Sequence, residues 1–142
     1  MIHSRPLEAE HLMLLDVQPW QRMPEFEITH EYSQFLVDNS YSSFSIWNDD
    51  KILAAGGAVM LWEGRAEIWL LVDKMAGKSM FGLHKVARRF LDAMPFRRLE
   101  TGCEIEWSEA HRWLKMLGFE YEHRARKYTP TGRDLDIYVR IK

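Results

Sequence analysis

The run Ala66-Glu67-Ile68-Trp69-Leu70-Leu71-Val72 constrains this chain more than any other segment. Only Glu67 interrupts it, and its branched and aromatic side chains favour an extended backbone. A strand that is apolar on both faces must be covered on both faces, so it belongs in the interior of a sheet with helices on each side. The residues that follow fit that arrangement. Asp73 to Lys78 reads as a loop containing Gly77, and Ser79 is placed to cap a helix reaching about Met94. Met80, Leu83, Ala87, Leu91 and Met94 step by three and four, and Pro95 stops the helix. Arg98 to Ile105 reads as the next strand, giving a strand–loop–helix–strand crossover.

The rest of the chain builds outward from this unit. Ile2 to Arg5 is a short strand stopped by Pro6, and Leu7 to Asp16 a short helix. Val17 to Ile28, with Pro19, Trp20, Pro24 and Phe26, reads as an irregular loop. Thr29 caps a helix through Val37. Strands Tyr41–Trp47 and Lys51–Met60 flank the turn Asn48-Asp49-Asp50, and a second turn, Trp62 to Arg65, leads into the apolar run. Ser108 to Leu117 has a helical stripe of Ala110, Trp113, Leu114 and Leu117, with Gly118 suited to its C-terminal end. Phe119–Tyr128 and Leu135–Ile141 alternate, and Thr129-Pro130-Thr131-Gly132-Arg133 joins them in a hairpin. The predicted fold is one α/β domain over residues 1–142: a mixed, twisted sheet of about seven strands with about four helices on its two faces.

Composition removes several function classes. With 46% hydrophobic and 13% aromatic residues in 142, disorder is excluded. Lys+Arg at 19 against Asp+Glu at 21 gives a net charge of −2, which argues against nucleic-acid or anionic-membrane partners. The apolar stretch Ile52–Trp62 falls short of the ~20 residues that span a bilayer, and the first residues lack the apolar stretch of a signal peptide. Cys103 is the single cysteine, so no disulfide can form within the chain, and a reducing cytoplasm is the expected compartment. The 6 histidines show no metal-ligand spacing, and no metal is expected.

The strand, Gly77 loop and helix start form an anion site in outline. The first helical turn leaves N–H groups unpaired, with partial positive charge from the helix dipole. Lys74 and Lys78 flank the loop, and Lys85, Arg88 and Arg89 follow on the helix. A pyrophosphate suits these groups; an ordinary turn with solvated lysines accounts for them too. Gly77-Lys78-Ser79 matches the end of a Walker A loop, but Val72 stands where its first glycine belongs, and there is no Gly-x-Gly-x-x-Gly.

Element order and local residues together resemble the GNAT superfamily of acetyl-CoA-dependent N-acetyltransferases. That family holds the CoA pyrophosphate in a loop of pattern Gln/Arg-x-x-Gly-x-Gly/Ala after a central strand. Lys74-Met75-Ala76-Gly77-Lys78-Ser79 keeps the glycine, with Lys and Ser at the other two positions. Leu117-Gly118-Phe119, with Ala110 seven residues earlier, is similar to the end of the family's late helix. Ile2-His3-Ser4-Arg5-Pro6, Ala55-Gly56-Gly57, Glu67-Ile68-Trp69 and Arg112-Trp113-Leu114-Lys115 resemble GNAT-like proteins of short-tailed bacteriophages, internal virion proteins among them.

The resemblance implies acetyl-CoA as cofactor, held by Leu71, Val72, Lys74, Ala76, Gly77, Lys78, Ser79 and Met80. It implies Glu67 as the base that accepts a proton from the amine, with Glu104 and Glu106 as further carboxylates near the substrate entrance. A Glu among apolar neighbours has a raised pKa, which suits a base. A strand-start Glu paired with Arg65 or another cation fits Glu67 as well. The family's usual Asn and Tyr, the Tyr protonating the CoA thiolate, fall at Trp107 and Leu114, neither of which can do so. Two functions follow: an N-acetyltransferase, phage-encoded and acting on an amine or a host protein in the host cytoplasm, or a catalytically degenerate GNAT-fold binding or virion protein. The oligomeric state is open, a dimer included.

Overall fold

A computed structural model of the chain describes residues 1–22 and 27–142. Pro24 and Phe26 of the expected loop lie outside the described residues. The strands are β1 (Ile2–Pro6), β2 (Ser42–Asn48), β3 (Lys51–Trp62), β4 (Arg65–Val72), β5 (Arg98–Cys103), β6 (Glu120–Ala125) and β7 (Leu135–Ile141). The helices are α1 (Ala9–Met13), α2 (His30–Asn39), α3 (Met80–Ala93) and α4 (Ser108–Met116). The strands form one sheet in the order β1-β2-β3-β4-β5-β7-β6. All neighbours are antiparallel except β4 and β5, which run parallel.

The apolar run of β4 lies at the centre of this sheet, as its composition requires. Its even residues Ala66, Ile68, Leu70 and Val72 pack under α3 and α4 with Leu83, Leu91 and Leu99. Trp69 and Leu71 face the other way, onto Leu12 of α1 and Leu36 of α2. Trp69 reaches across β3 because Gly57 has no side chain. A Cβ there would sit 2.9 Å from the Trp69 indole nitrogen and 2.8 Å from the Ser42 carbonyl. The indole N–H then donates to Ser40 Oγ at 3.1 Å. Gly118 ends α4 with φ +95, the left-handed conformation that favours glycine.

Two local expectations are corrected. The first helix is shorter than Leu7–Asp16. Glu8 and His11 cap its start reciprocally, and the Asp16 N–H is taken by the Asp73 carboxylate at 3.0 Å, drawing the chain off towards the end of β4. Ser79 makes no side-chain capping bond. A 3₁₀ turn, Ala76–Ser79, precedes α3, and Asp73 starts it: its carboxylate accepts from Met75 N at 2.9 Å and its carbonyl from Ala76 N at 3.0 Å. Asp73 is fully buried, so it holds the loop from inside.

Candidate active site

The site starts from a parting of strands. β4 and β5 pair only at Arg65↔Arg98, Ala66↔Leu99 and Glu67↔Glu100. Beyond Glu67 they diverge, and β5 continues on β7 alone as far as Cys103. Between them lies a wedge with a cavity of about 60 Å³, lined by Ile68 and Leu70 of β4, Thr101 of β5, Phe90 of α3, and Trp113 and Leu114 of α4.

Charge is concentrated where the parting begins. Glu100 accepts from Arg65 at 3.0 and 2.5 Å and from Arg98 at 2.7 Å. Arg98 continues to Glu122 at 2.5 and 2.8 Å. Burial pushes the Glu100 carboxyl up, but the bonds from Arg65 and Arg98 outweigh it and hold the carboxyl below its ordinary range. Arg65 therefore points at Glu100, not Glu67, so the strand-start ion pair is not formed. Glu67, next to Glu100 in the pairing, has its pKa raised, first by partial burial and then by the Glu100 charge, with Arg65 opposing. Tyr32 and Tyr128 flank the same region. Their hydroxyls are pushed up by burial and then by the Glu67 charge.

Glu104 stands apart from this group. Its carboxylate pairs with Arg133 at 2.6 Å, and it is not among the charges acting on Glu67. His111 donates from Nε2 to the carbonyls of Glu104 and Ile105 at 3.0 and 2.9 Å, while Nδ1 meets the Tyr138 hydroxyl at 2.6 Å. His84 accepts from the Trp113 indole at 3.0 Å. The Cys103 thiol is buried and pushed up to about 12, first by burial and then by Asp136 and Glu104, so it is protonated at neutral pH. Among the described residues no three His, Cys, Asp or Glu side chains gather as a metal site would require.

The expected cofactor residues divide. Gly77 and Lys78 are exposed at the start of the helix, and a Cβ at Gly77 would meet nothing within 4 Å. Gly77 is also not among the positive-φ glycines, so its absent side chain matters for access and not for backbone strain. Ala76 is buried beneath the loop, with Met80 packed against the same cluster and Ser79 half-buried beside it. Lys74 is already paired with Asp16 at 2.7 Å. Leu71 turns its peptide group towards β3, whereas Leu70 and Val72 turn theirs towards the wedge. Leu70, missed in the sequence, thus joins Val72 on the open edge.

That edge has an occupant which sequence reasoning also missed. The Gln21 side chain donates to the Leu70 carbonyl at 2.7 Å and accepts from Val72 N at 2.8 Å. Trp20 stacks on Trp107 with ring centroids 6.4 Å apart and planes 15° from parallel.

No protein-family model and no curated protein matches the sequence. Solved structures match its fold. The GNAT-family acetyltransferase from Bacillus anthracis superposes with TM-score 0.75 at 16% identity, covering 99% of this chain and 94% of that one. The ribosomal-protein-S18-alanine N-acetyltransferase from Escherichia coli gives 0.75 at 20% identity, with 99% and 94% covered. A putative phosphinothricin N-acetyltransferase gives 0.76 at 14%, with 99% and 98% covered. The chain has the GNAT acetyltransferase fold. In it, Leu114 lines the wedge from α4 and Trp107 precedes that helix, where the family resemblance puts Tyr and Asn.

Proposed function

We propose that the protein is an acetyl-CoA-dependent N-acetyltransferase. The observation that carries this reading is the parting of β4 and β5 immediately beyond Glu67, with the Leu70 and Val72 peptide groups aimed into the gap. The edge suits the amide-bearing arm of CoA. Leu70 O and Val72 N already hold one carboxamide, so their spacing fits an amide. The open space over Gly77 admits a phosphate close to backbone N–H groups, with Lys78 beside it. Bound acetyl-CoA supplies an activated acetyl thioester.

The chain's own residues do the rest. Glu67 accepts a proton from the incoming ammonium, directly or through water, and its raised pKa brings it nearer the working pH. The Arg65–Glu100–Arg98 cluster fixes the strand ends that aim Glu67 and supplies part of the charge that raises it. Leu114 offers no proton to the departing sulfur. A thiol of pKa ~8.5 leaves tolerably as thiolate at neutral pH, so transfer is slowed and not forbidden. The acceptor is an amine of a small molecule or a protein. The resemblance to phage GNAT-like proteins supports a host protein as target.

The test is a thermal melt with acetyl-CoA, followed by mass spectrometry of amines or lysate incubated with it. Ligand at ~100-fold over Kd adds about 2.7 kcal/mol, a shift of several degrees. No shift at millimolar acetyl-CoA refutes the reading. The loss of a proton donor at Leu114 favours a second reading, a GNAT-fold binding or virion protein without transfer. CoA binding with no acetylated product selects it.

A further inference from the structure

The segment Asp16–Arg22 is fastened along the end of β4 like an added strand. Val17 makes an antiparallel bridge with Asp73. Lys74 N donates to the Asp16 carbonyl at 2.8 Å, and Gln18 N to the Val72 carbonyl at 2.9 Å. Gln18 Nε2 donates to the Asp73 carbonyl at 3.2 Å. Pro19–Gln21 then forms one 3₁₀ turn, with Gln21 N donating to the Gln18 carbonyl at 2.8 Å and Arg22 N to the Pro19 carbonyl at 3.2 Å. Among the described residues the Gln21 side chain then returns to bond Leu70 O and Val72 N on the open edge, while Trp20 reaches over to Trp107.

From this geometry we infer that Gln21 is a built-in competitor for the wedge: its carboxamide holds the edge shut until an amide-bearing ligand displaces it. The inference rests on the acetyl-CoA reading and adds a control on it. A primary carboxamide presents one N–H donor and one carbonyl acceptor, the same pair that a peptide group presents to a strand edge. It therefore satisfies Leu70 O and Val72 N as a ligand's amide would, and the two cannot be held together. Asp16 and Gln18 are anchored by backbone bonds to Lys74 and Val72, so they stay in place when Gln21 alone swings out. Opening requires side-chain rotation, not unfolding. Only the open fraction binds ligand, and two hydrogen bonds of ordinary net strength lower apparent affinity roughly 5- to 150-fold.

The experiment compares wild type, Gln21→Ala and the near-isosteric Gln21→Met. CoA affinity is measured by calorimetry, and Val72 N–H exchange by NMR without ligand. Both variants bind CoA ~10-fold or more tightly than wild type, and Val72 N–H exchanges faster in them than in wild type. The Met variant keeps the bulk of the side chain, so a gain shared by both assigns the effect to the amide. Equal CoA affinity in all three proteins overturns the inference and leaves the cofactor reading standing. Unchanged Val72 exchange overturns it on structural grounds. No CoA binding by any of the three overturns both readings.

Discussion

Replacing Glu100 by Gln keeps the side chain's size and removes the charge that gathers Arg65 and Arg98. Glu100 is only 12% exposed at its side chain and accepts three short hydrogen bonds from the two guanidiniums. Charge-assisted bonds to a carboxylate this sheltered contribute more than surface pairs, and Arg98 retains Glu122 after the change. A net loss of ~2 kcal/mol follows, or roughly 6–8 °C in Tm for a chain of this length. The pH dependence identifies the cause. The folded-state pKa of Glu100 is depressed, so its contribution is complete above the unfolded value of ~4.3 and is lost as pH falls through the folded one. The gap in Tm between wild type and variant is therefore full at pH 7 and closes below pH ~4. A second effect appears on Glu67, whose carboxyl loses the negative neighbour that helps to raise it. Its midpoint, followed by NMR of the carboxyl carbon, moves down. A Tm gap of equal size at pH 7 and pH 3 would refute the electrostatic account, as would an unmoved Glu67 midpoint.

Glu67→Gln lowers kcat by ~10²-fold or more with CoA affinity nearly intact, and abolishes the acid limb of the pH–rate profile, which in wild type lies above the ordinary carboxylate range. A wild-type profile in the variant moves the proton transfer to another group. Gly77→Val leaves Tm almost unchanged, because the new side chain meets nothing in the free protein, yet it weakens CoA binding at least ~10-fold by filling the approach to the loop. Unaltered affinity places the phosphates elsewhere. Leu114→Tyr puts a hydroxyl into the wedge cavity and raises the transfer rate if sulfur lies there, measured by thiol release. An unchanged rate shows that the sulfur does not lie in the wedge that Leu114 lines.

The parts of the fold legible in sequence were those written as periodicity. The apolar run of β4, interrupted only by Glu67, places it at the centre, and the three-and-four stepping from Leu83 to Leu91 marks the buried stripe of α3. Thr29 caps α2 with its hydroxyl because its N3 residue, Tyr32, brings its N–H within 3.1 Å. Ser79, the same kind of signal, misleads because the buried Asp73 caps the turn from further upstream, through contacts made possible by Asp16 and Lys51 at distant positions. Glu67 could be singled out as a charge inside an apolar run. Its separation from Arg65 could not, because Glu100 claims that guanidinium from 35 residues away. Gln21 was invisible for a related reason. A lone amide in a proline-bearing loop has no period, and its partners lie 49 and 51 residues along the chain.

The order β5-β7-β6 also governs how the sheet can be assembled. β1 to β4 are sequential antiparallel neighbours, so from β2 onward each strand finds its partner already made. β6 is different: it pairs only with β7, which follows it in the chain and inserts between it and β5. Until β7 is synthesised, β6 has no place in the sheet and β5 is held only by its three residue pairs with β4. Folding thus divides into a local meander that forms early and a C-terminal half that closes in a single late step, over contacts of long sequence separation. Shortening β7 therefore leaves two unpaired strand edges at once, a template for aggregation, whereas losing the edge strand β1 exposes only one.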